Sequence, residues 1–291
     1  MVELPIVVGV DGSEQSLRAV DWATDEAALR GVPLRLVYAS LWERYEGELP
    51  GRDHGRETEE ALAQDIVDGA AQRAHRRQPG VQVTTEVLPE EPEYALVRES
   101  GTALAVVLGC RGRSGVTEAL LGSVSVTVAG RAQCPVIVLR GSHDNRVRPG
   151  AQDRVVLGVA GKPAGSAAVR FAIEEAGLRG VPLEAVRAWR RPAHVVTGHP
   201  LLTGEPAHLQ EQDAAEMVEQ ALRDAPENLE LHRTTIEGHP RDALLAASRH
   251  AGLLVVGARR RSGHFGLQLG RVAHGVLHHA ACPVAVVPEP A

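Results

Sequence analysis

The sequence predicts an α/β protein of two tandem domains, each an open, twisted parallel sheet with helices on both faces. Three observations carry this. The chain repeats itself: Gly31-Val32-Pro33-Leu34 returns as Gly180-Val181-Pro182-Leu183, and Cys134-Pro135-Val136 as Cys282-Pro283-Val284, at offsets of 149 and 148 residues. Within each copy, short continuous apolar runs alternate with helical spacing, the pattern of a parallel sheet buried on both faces. A length of 291 residues suits two domains. The expected boundaries are 1–141 and 153–291, joined by a linker over 142–152 that begins with polar, turn-rich residues.

The elements of the first copy follow in order. Leu4 to Val10 is a Val-rich strand. Glu14 to Arg30 places Leu17, Val20, Ala23 and Ala27 at helical spacing and stops at Gly31. Leu34 to Ala39 is the second strand. Thr58 to Gln78 is the second helix, with Thr58 as its cap. Val81 to Val87 alternates as a strand, and Glu93 to Ser100 is a short helix after Pro92. Leu104 to Gly109 is fully apolar, Ser123 to Ala132 is helical, and Val136 to Leu139 closes the domain. The second copy repeats this order and ends with Val284 to Val287. Leu41 to Glu57 and its counterpart, Arg190 to Pro206, read as long surface loops, either lids and contact surfaces or, equally well, solvated slack.

Composition excludes several classes. The net charge of −6 and the eight Trp, Tyr and Phe residues argue against a nucleic-acid face. No run of 18 apolar residues marks a membrane span, and Met1-Val2-Glu3 opens no signal peptide. Cys110, Cys134 and Cys282 form no C-x-x-C pair and fit a reducing, cytoplasmic setting. Lys162 is the only lysine, and Gly161-Lys162-Pro163 is no Walker-type phosphate loop. A phosphate site here must therefore use backbone N–H groups, hydroxyls or arginine.

Two strand ends of the first copy supply such groups. Gly9, Val10 and Asp11 end the first strand. Gly109-Cys110-Arg111-Gly112 ends the fourth, followed by Gly122-Ser123 at the start of a helix. In open parallel sheets ligands bind beyond the carboxyl ends of the strands, where the winding reverses. Gly109 and Gly112 lack Cβ, so backbone can approach an anion and take positive φ. The helix opened by Gly122 offers free N–H groups and a favourable dipole. Ser123 and Ser125 add hydroxyls, and Arg111 and Arg113 add charge. Asp11 suits a ribose hydroxyl better than a phosphate and has the chemistry to help hold a divalent metal. Taken alone, Asp11-Gly12-Ser13 reads equally well as a turn leading into a helix.

The pattern Gly109-x2-Gly112-x9-Gly122-Ser123, with Val8 to Ser13 and Cys134 to Val138, resembles the ATP-binding branch of the universal stress protein family in its tandem form. The resemblance covers essentially the whole chain. It implies a Rossmann-like, adenine nucleotide alpha-hydrolase-like fold with five strands in the order 3-2-1-4-5. It also implies bound ATP, with or without Mg2+, and dimer-like pairing through the last strand. On that reading Asp11 holds the ribose and backbone near Tyr38 and Ala39 meets the adenine. The loop of Gly109, Cys110, Arg111, Gly112, Arg113, Ser114 and Gly115, with Gly122, Ser123, Val124 and Ser125, wraps the phosphates.

The second copy departs from this pattern. Ala160 stands at the position of Asp11, Arg260 at Gly112 and Arg271 at Ser123. Losing a charge-assisted ribose contact costs about 1.5–3 kcal/mol, or about 10–150-fold in affinity. An arginine in a glycine-only conformation adds about 1–3 kcal/mol of strain. ATP binding is therefore expected mainly in the first copy; Arg259, Arg260, Arg261 and Arg271 of the second read first as a solvated basic loop and second as a basic mouth for another anion. His274 and His278 have chelate spacing without accompanying Cys or carboxylate, so no metal site is expected. No nucleophile elbow or positioned general base is present. The chain thus reads as a nucleotide sensor and stress-response regulator with an unknown protein partner, forming a homodimer and hydrolysing ATP slowly at most. An ATP-using enzyme of the same fold and a structural module with an empty cleft are the alternatives.

Overall fold

The computed structural model describes residues 3–41, 53–110, 121–140, 154–161, 165–190, 205–259 and 269–289. The described residues form two compact units, one up to residue 140 and one from residue 154. The N-terminal unit runs β1 (Ile6–Gly9), α1 (Glu14–Arg30), β2 (Leu34–Ala39), α2 (Asp53–Arg77), β3 (Val83–Leu88), α3 (Pro92–Glu99), β4 (Ala105–Gly109), α4 (Ser123–Arg131) and β5 (Val136–Leu139). Its strands are all parallel, in the order β3-β2-β1-β4-β5. The C-terminal unit runs β6 (Val155–Gly158), α5 (Ala167–Arg179), β7 (Leu183–Trp189), α6 (Glu205–Leu222), β8 (Leu231–Glu237), α7 (Pro240–Ala247), β9 (Leu253–Arg259), α8 (Arg271–His279) and β10 (Val284–Glu289). It repeats the same parallel order as β8-β7-β6-β9-β10. Each unit thus has the expected 3-2-1-4-5 winding.

Why these residues form these elements is local. β1 and β4 are Val-rich, and all their residues except the half-buried Gly9 are buried, because helices cover both sheet faces. The α1 helix starts where the Ser13 side chain accepts from Ser16 N. It ends at Gly31, whose φ of 67° is a left-handed cap, and α5 ends the same way at Gly180. The buried face of α1 carries Ala19, Val20, Ala23 and Ala27, small enough to let the helix lie close on the sheet. Arg73 grips Asp21 through two hydrogen bonds of 2.7 Å, and Arg77 reaches Asp25 at 2.6 Å, fixing α2 against α1.

Some boundaries differ from the sequence expectation. The α2 helix begins at Asp53, so Thr58 lies inside it and is not its cap. The stretch from Asp53 to Thr58 has no apolar periodicity to reveal a helix, yet its Glu and Arg residues are good helix formers. The loop expected over Leu41 to Glu57 is shorter for that reason, and its residues 42–52 lie outside the described ones. Likewise α6 begins at Glu205, inside the loop expected over Arg190 to Pro206. β10 continues to Glu289 because its pairing with β9 continues to Arg259.

A buried ion pair recurs in both units. The Glu26 carboxylate accepts from Arg30 Nε, and the Glu175 carboxylate accepts from Arg179 Nε at 2.8 Å. Glu26 and Glu175 are 2% and 1% exposed. Cys134 and Cys282 are free thiols, and burial pushes both up to about 12, so they pack as neutral side chains. Replacing one member of a buried pair strands the other charge. Glu26→Ala is therefore expected to lower stability by about 3–5 kcal/mol in urea unfolding, and a loss under about 1 kcal/mol would show the pair to be dispensable.

Candidate functional site

The strand order reverses between β1 and β4. The α1 and α2 helices lie on one sheet face, α3 and α4 on the other. Beyond the carboxyl ends of β1 and β4 the chain therefore parts to opposite faces and leaves a crevice. A cleft of about 190 Å³ opens there. Its volume is far more than the few ordered waters a polar crevice needs. Gly9, Val10 and Asp11 line it from the end of β1, Val37 and Ala39 from β2, and Leu108 and Gly109 from β4. Pro92 and Leu96 of α3, Ser16 of α1, and Gly122, Ser123, Val124 and Ser125 at the start of α4 complete it.

Two glycines hold this crevice open by allowing close packing. A Cβ on Gly9 would stand 2.7 Å from Leu108 Cδ2 and 3.1 Å from Leu96 Cδ1. A Cβ on Gly109 would stand 2.8 Å from the backbone carbon and oxygen of Gln15. Gly109 thus exists to admit the first turn of α1. It is not among the glycines with positive φ, so the expected left-handed backbone there is corrected.

Hydrogen bonds define what the cleft offers. Asp11 Oδ1 accepts from Ser13 N at 3.0 Å and from the Ser13 hydroxyl at 2.6 Å. Asp11 is therefore both the turn residue that organises the start of α1 and a wall of the cleft. The N-cap of α4 is Gly122, with no side-chain cap. The N–H groups of Ser123, Val124 and Ser125 belong to the first turn, which has no intrahelical acceptor. The helix start is pinned from behind: Gly122 N donates to Cys110 O at 2.8 Å, and the buried Ser125 hydroxyl donates to Gly109 O at 2.8 Å. The Ser125 hydroxyl proton is thus committed to the backbone, a correction to its expected role as a phosphate donor. The Ser123 hydroxyl donates to Glu93 Oε1 at 3.1 Å.

The structure therefore gathers nine of the expected residues on one cleft: Gly9, Val10, Asp11, Ala39, Gly109, Gly122, Ser123, Val124 and Ser125. Tyr38 is not among the lining residues, because side chains alternate along β2 and Val37 and Ala39 take the cleft face. Cys110 is buried, with its Sγ 3.9 Å from Gln15 Oε1, and is not a lining residue. Arg111, Gly112, Arg113, Ser114 and Gly115 lie outside the described residues. Sequence reasoning missed Ser16, Val37, Pro92, Leu96 and Leu108. The β2 alternation pointed to Val37, but Leu96 reaches the cleft only through the packing of α3.

The C-terminal unit keeps the scaffold and changes the chemistry. A Cβ on Gly158, the counterpart of Gly9, would meet Leu244 Cδ1 at 3.1 Å. Ala160, in the Asp11 position, is exposed. The α5 helix has 13 residues against 17 in α1. Its start is held by Glu289, which accepts from Ala167 N at 2.9 Å, from Ala168 N at 3.1 Å and from the Ser166 hydroxyl. A carboxylate of the last strand thus satisfies that helix end.

Two repeated α/β units, each wound in reverse about its first and fourth strands, define a tandem Rossmann-like protein with a cleft at a strand-order reversal. The sequence profile of the universal stress protein family matches residues 4–140 and 152–288. Two universal stress proteins of Mycobacterium tuberculosis are each 34% identical to this chain. One aligns over 293 residues, 97% of this chain and 96% of the relative, and the other over 299 residues, 98% and 97%. The crystal structure of a universal stress protein from Archaeoglobus fulgidus matches with a TM-score of 0.67 at 19% identity, covering 98% of each chain. The chain belongs to the universal stress protein family.

If Gly109 serves packing, the effect of adding a methyl group there is set by Gln15. Gly109→Ala is expected to cost about 1–3 kcal/mol by forcing α1 outward. Gly69→Ala, at an exposed position within α2 with nothing near its Cβ, should stabilise by about 0.5–1 kcal/mol. Thermal unfolding of the two variants checks both signs, and a Gly109→Ala protein as stable as wild type would contradict the packing role.

Proposed function

We propose that the N-terminal unit binds an adenine nucleotide, ATP, in the cleft between the ends of β1 and β4, and that the protein acts as a nucleotide-sensing stress-response regulator. One observation carries the reading: the ends of β1 and β4 and the uncapped start of α4 line a single cleft. In that arrangement Asp11 accepts from the ribose, and the N–H groups of Ser123, Val124 and Ser125 face the phosphates. Ala39 and the apolar side chains of Val37 and Leu96 form the wall suited to the base. The family resemblance implies that Arg111 to Gly115 also contact the phosphates.

Among the described residues no group of three or more His, Cys, Asp or Glu is placed to hold a metal ion. The donor set thus fits Mg2+ only as a partner of nucleotide phosphates, which is how Mg2+ usually enters such sites. Ser13 donates to Asp11 Oδ1 and so orients the carboxylate as an acceptor for a ribose hydroxyl. The regulatory output would be nucleotide-dependent docking of a protein partner. Three free, buried cysteines fit a cytoplasmic setting, and homodimer formation belongs to the same proposal. No described helix is long and apolar enough to cross a membrane.

Calorimetric titration tests the reading. Wild type should bind ATP, Asp11→Ala should bind about 10–150-fold more weakly, and Gly112→Arg, which copies the second repeat, should lose most of its affinity. Unchanged affinity in both variants would remove the site.

A further inference from the structure

On the nucleotide reading of this cleft, we propose that Glu93 sets its phosphate preference. A nucleotide with one phosphate enters without metal, whereas a triphosphate requires a divalent cation to offset the Glu93 carboxylate.

The placement of Glu93 carries the argument. It follows Pro92 at the start of α3, and both Pro92 and Leu96, one turn further on, line the cleft. Its Oε1 accepts the hydroxyl of Ser123, the first residue of α4, at 3.1 Å. The N-cap of α4 is a glycine that brings no side chain of its own. A carboxylate from a neighbouring helix therefore stands beside the positive end of α4, bound by a hydroxyl that an incoming phosphate would use. It resembles an anion already seated on the lip of the phosphate site.

Its effect depends on the charge of what arrives. Asp11 is the ionisable residue among the described lining residues, so Asp11 and Glu93 together present negative charge to a nucleotide. One phosphate can use the N–H groups of Val124 and Ser125 while Glu93 keeps its bond to Ser123. A triphosphate spreads further along the lip and meets the carboxylate. It can enter by displacing Glu93 or by placing a cation between the two anions. The second repeat carries Arg241 where Glu93 stands and Arg271 where Ser123 stands, so both members of the contact change together. Arg241 there lies over Gly275 of α8, its Cδ 2.5 Å from where a Cβ would be. The acid–hydroxyl contact is thus specific to the N-terminal unit.

The test is the affinity of full-length wild type and Glu93→Gln for ATP and for AMP, each with Mg2+ and with a chelator. In wild type, Mg2+ should strengthen ATP binding and leave AMP binding unchanged. In Glu93→Gln, metal-free ATP binding should tighten about tenfold, the effect of one close like-charge contact near a protein surface. The Mg2+ effect on ATP should shrink correspondingly, with AMP affinity unmoved. Glu93→Ala, which removes the Ser123 contact as well as the charge, should shift ATP binding in the same direction. Equal ATP affinity and equal Mg2+ dependence in wild type and both variants, with AMP still bound, would overturn the role of Glu93 and leave the cleft reading standing. Weaker binding of both nucleotides in folded Glu93→Gln would make Glu93 a direct ligand contact and also overturn it. No nucleotide bound by any of the three proteins would overturn the cleft reading and this inference with it.

Discussion

The parallel pairing of β1 with β4 is the constraint on which the site depends. Ile6, Val7 and Val8 pair with Ala105, Val106 and Val107, so the two strands end side by side. Their connections then leave to opposite faces, and neither helix can close the gap above the strand ends. Helices pack closely enough on these two strands to require glycine on each, Gly9 beneath Leu96 of α3 and beside Leu108, and Gly109 against Gln15 of α1. Because both glycines answer to packing, the crevice is a consequence of the fold before it is a site. Chemistry enters with the residues just past the strands: Asp11 on one side and the start of α4 on the other.

Much of this was legible in the sequence. The repeat announced two similar units, and the apolar runs located the five strands of the first copy and the last strand of the second to within a few residues. The glycine, aspartate and serine motifs pointed to one crevice because strand ends are where α/β sheets gather their ligands. What stayed hidden has physical reasons. The first turn of α2 lacks apolar periodicity, so Asp53 could not be seen as a helix start. Gly109 looked like an anion-facing glycine because a sequence shows a missing side chain but not the neighbour that forbids it. Ser125 looked like a free donor because its acceptor, the carbonyl of Gly109, is 16 residues away in the chain. Glu93 read only as the start of a short helix because its contact with Ser123 spans 30 residues.

The two units show how one scaffold tolerates different surfaces. Both keep the buried Glu–Arg pair on the first helix, the left-handed glycine that ends it and the buried cysteine before the last strand. These features serve folding, and both repeats need them. The residues that differ, Asp11 against Ala160, Glu93 against Arg241 and Ser123 against Arg271, sit past the strand ends or at helix starts, where they bear little on the core. Glu289 completes the contrast by capping the first helix of the C-terminal unit from its last strand. Retained packing with altered strand-end chemistry is what a division of labour between a binding unit and a supporting unit would produce.

The most direct measurement is the mapping of backbone amide resonances during titration with ATP. The account predicts shifts concentrated at Val10, Asp11, Gly109 and Gly122 to Ser125, with Ala160, Arg259 and Arg271 unmoved. Shifts centred on the C-terminal unit, or none at the ends of β1 and β4 at saturating nucleotide, would contradict it.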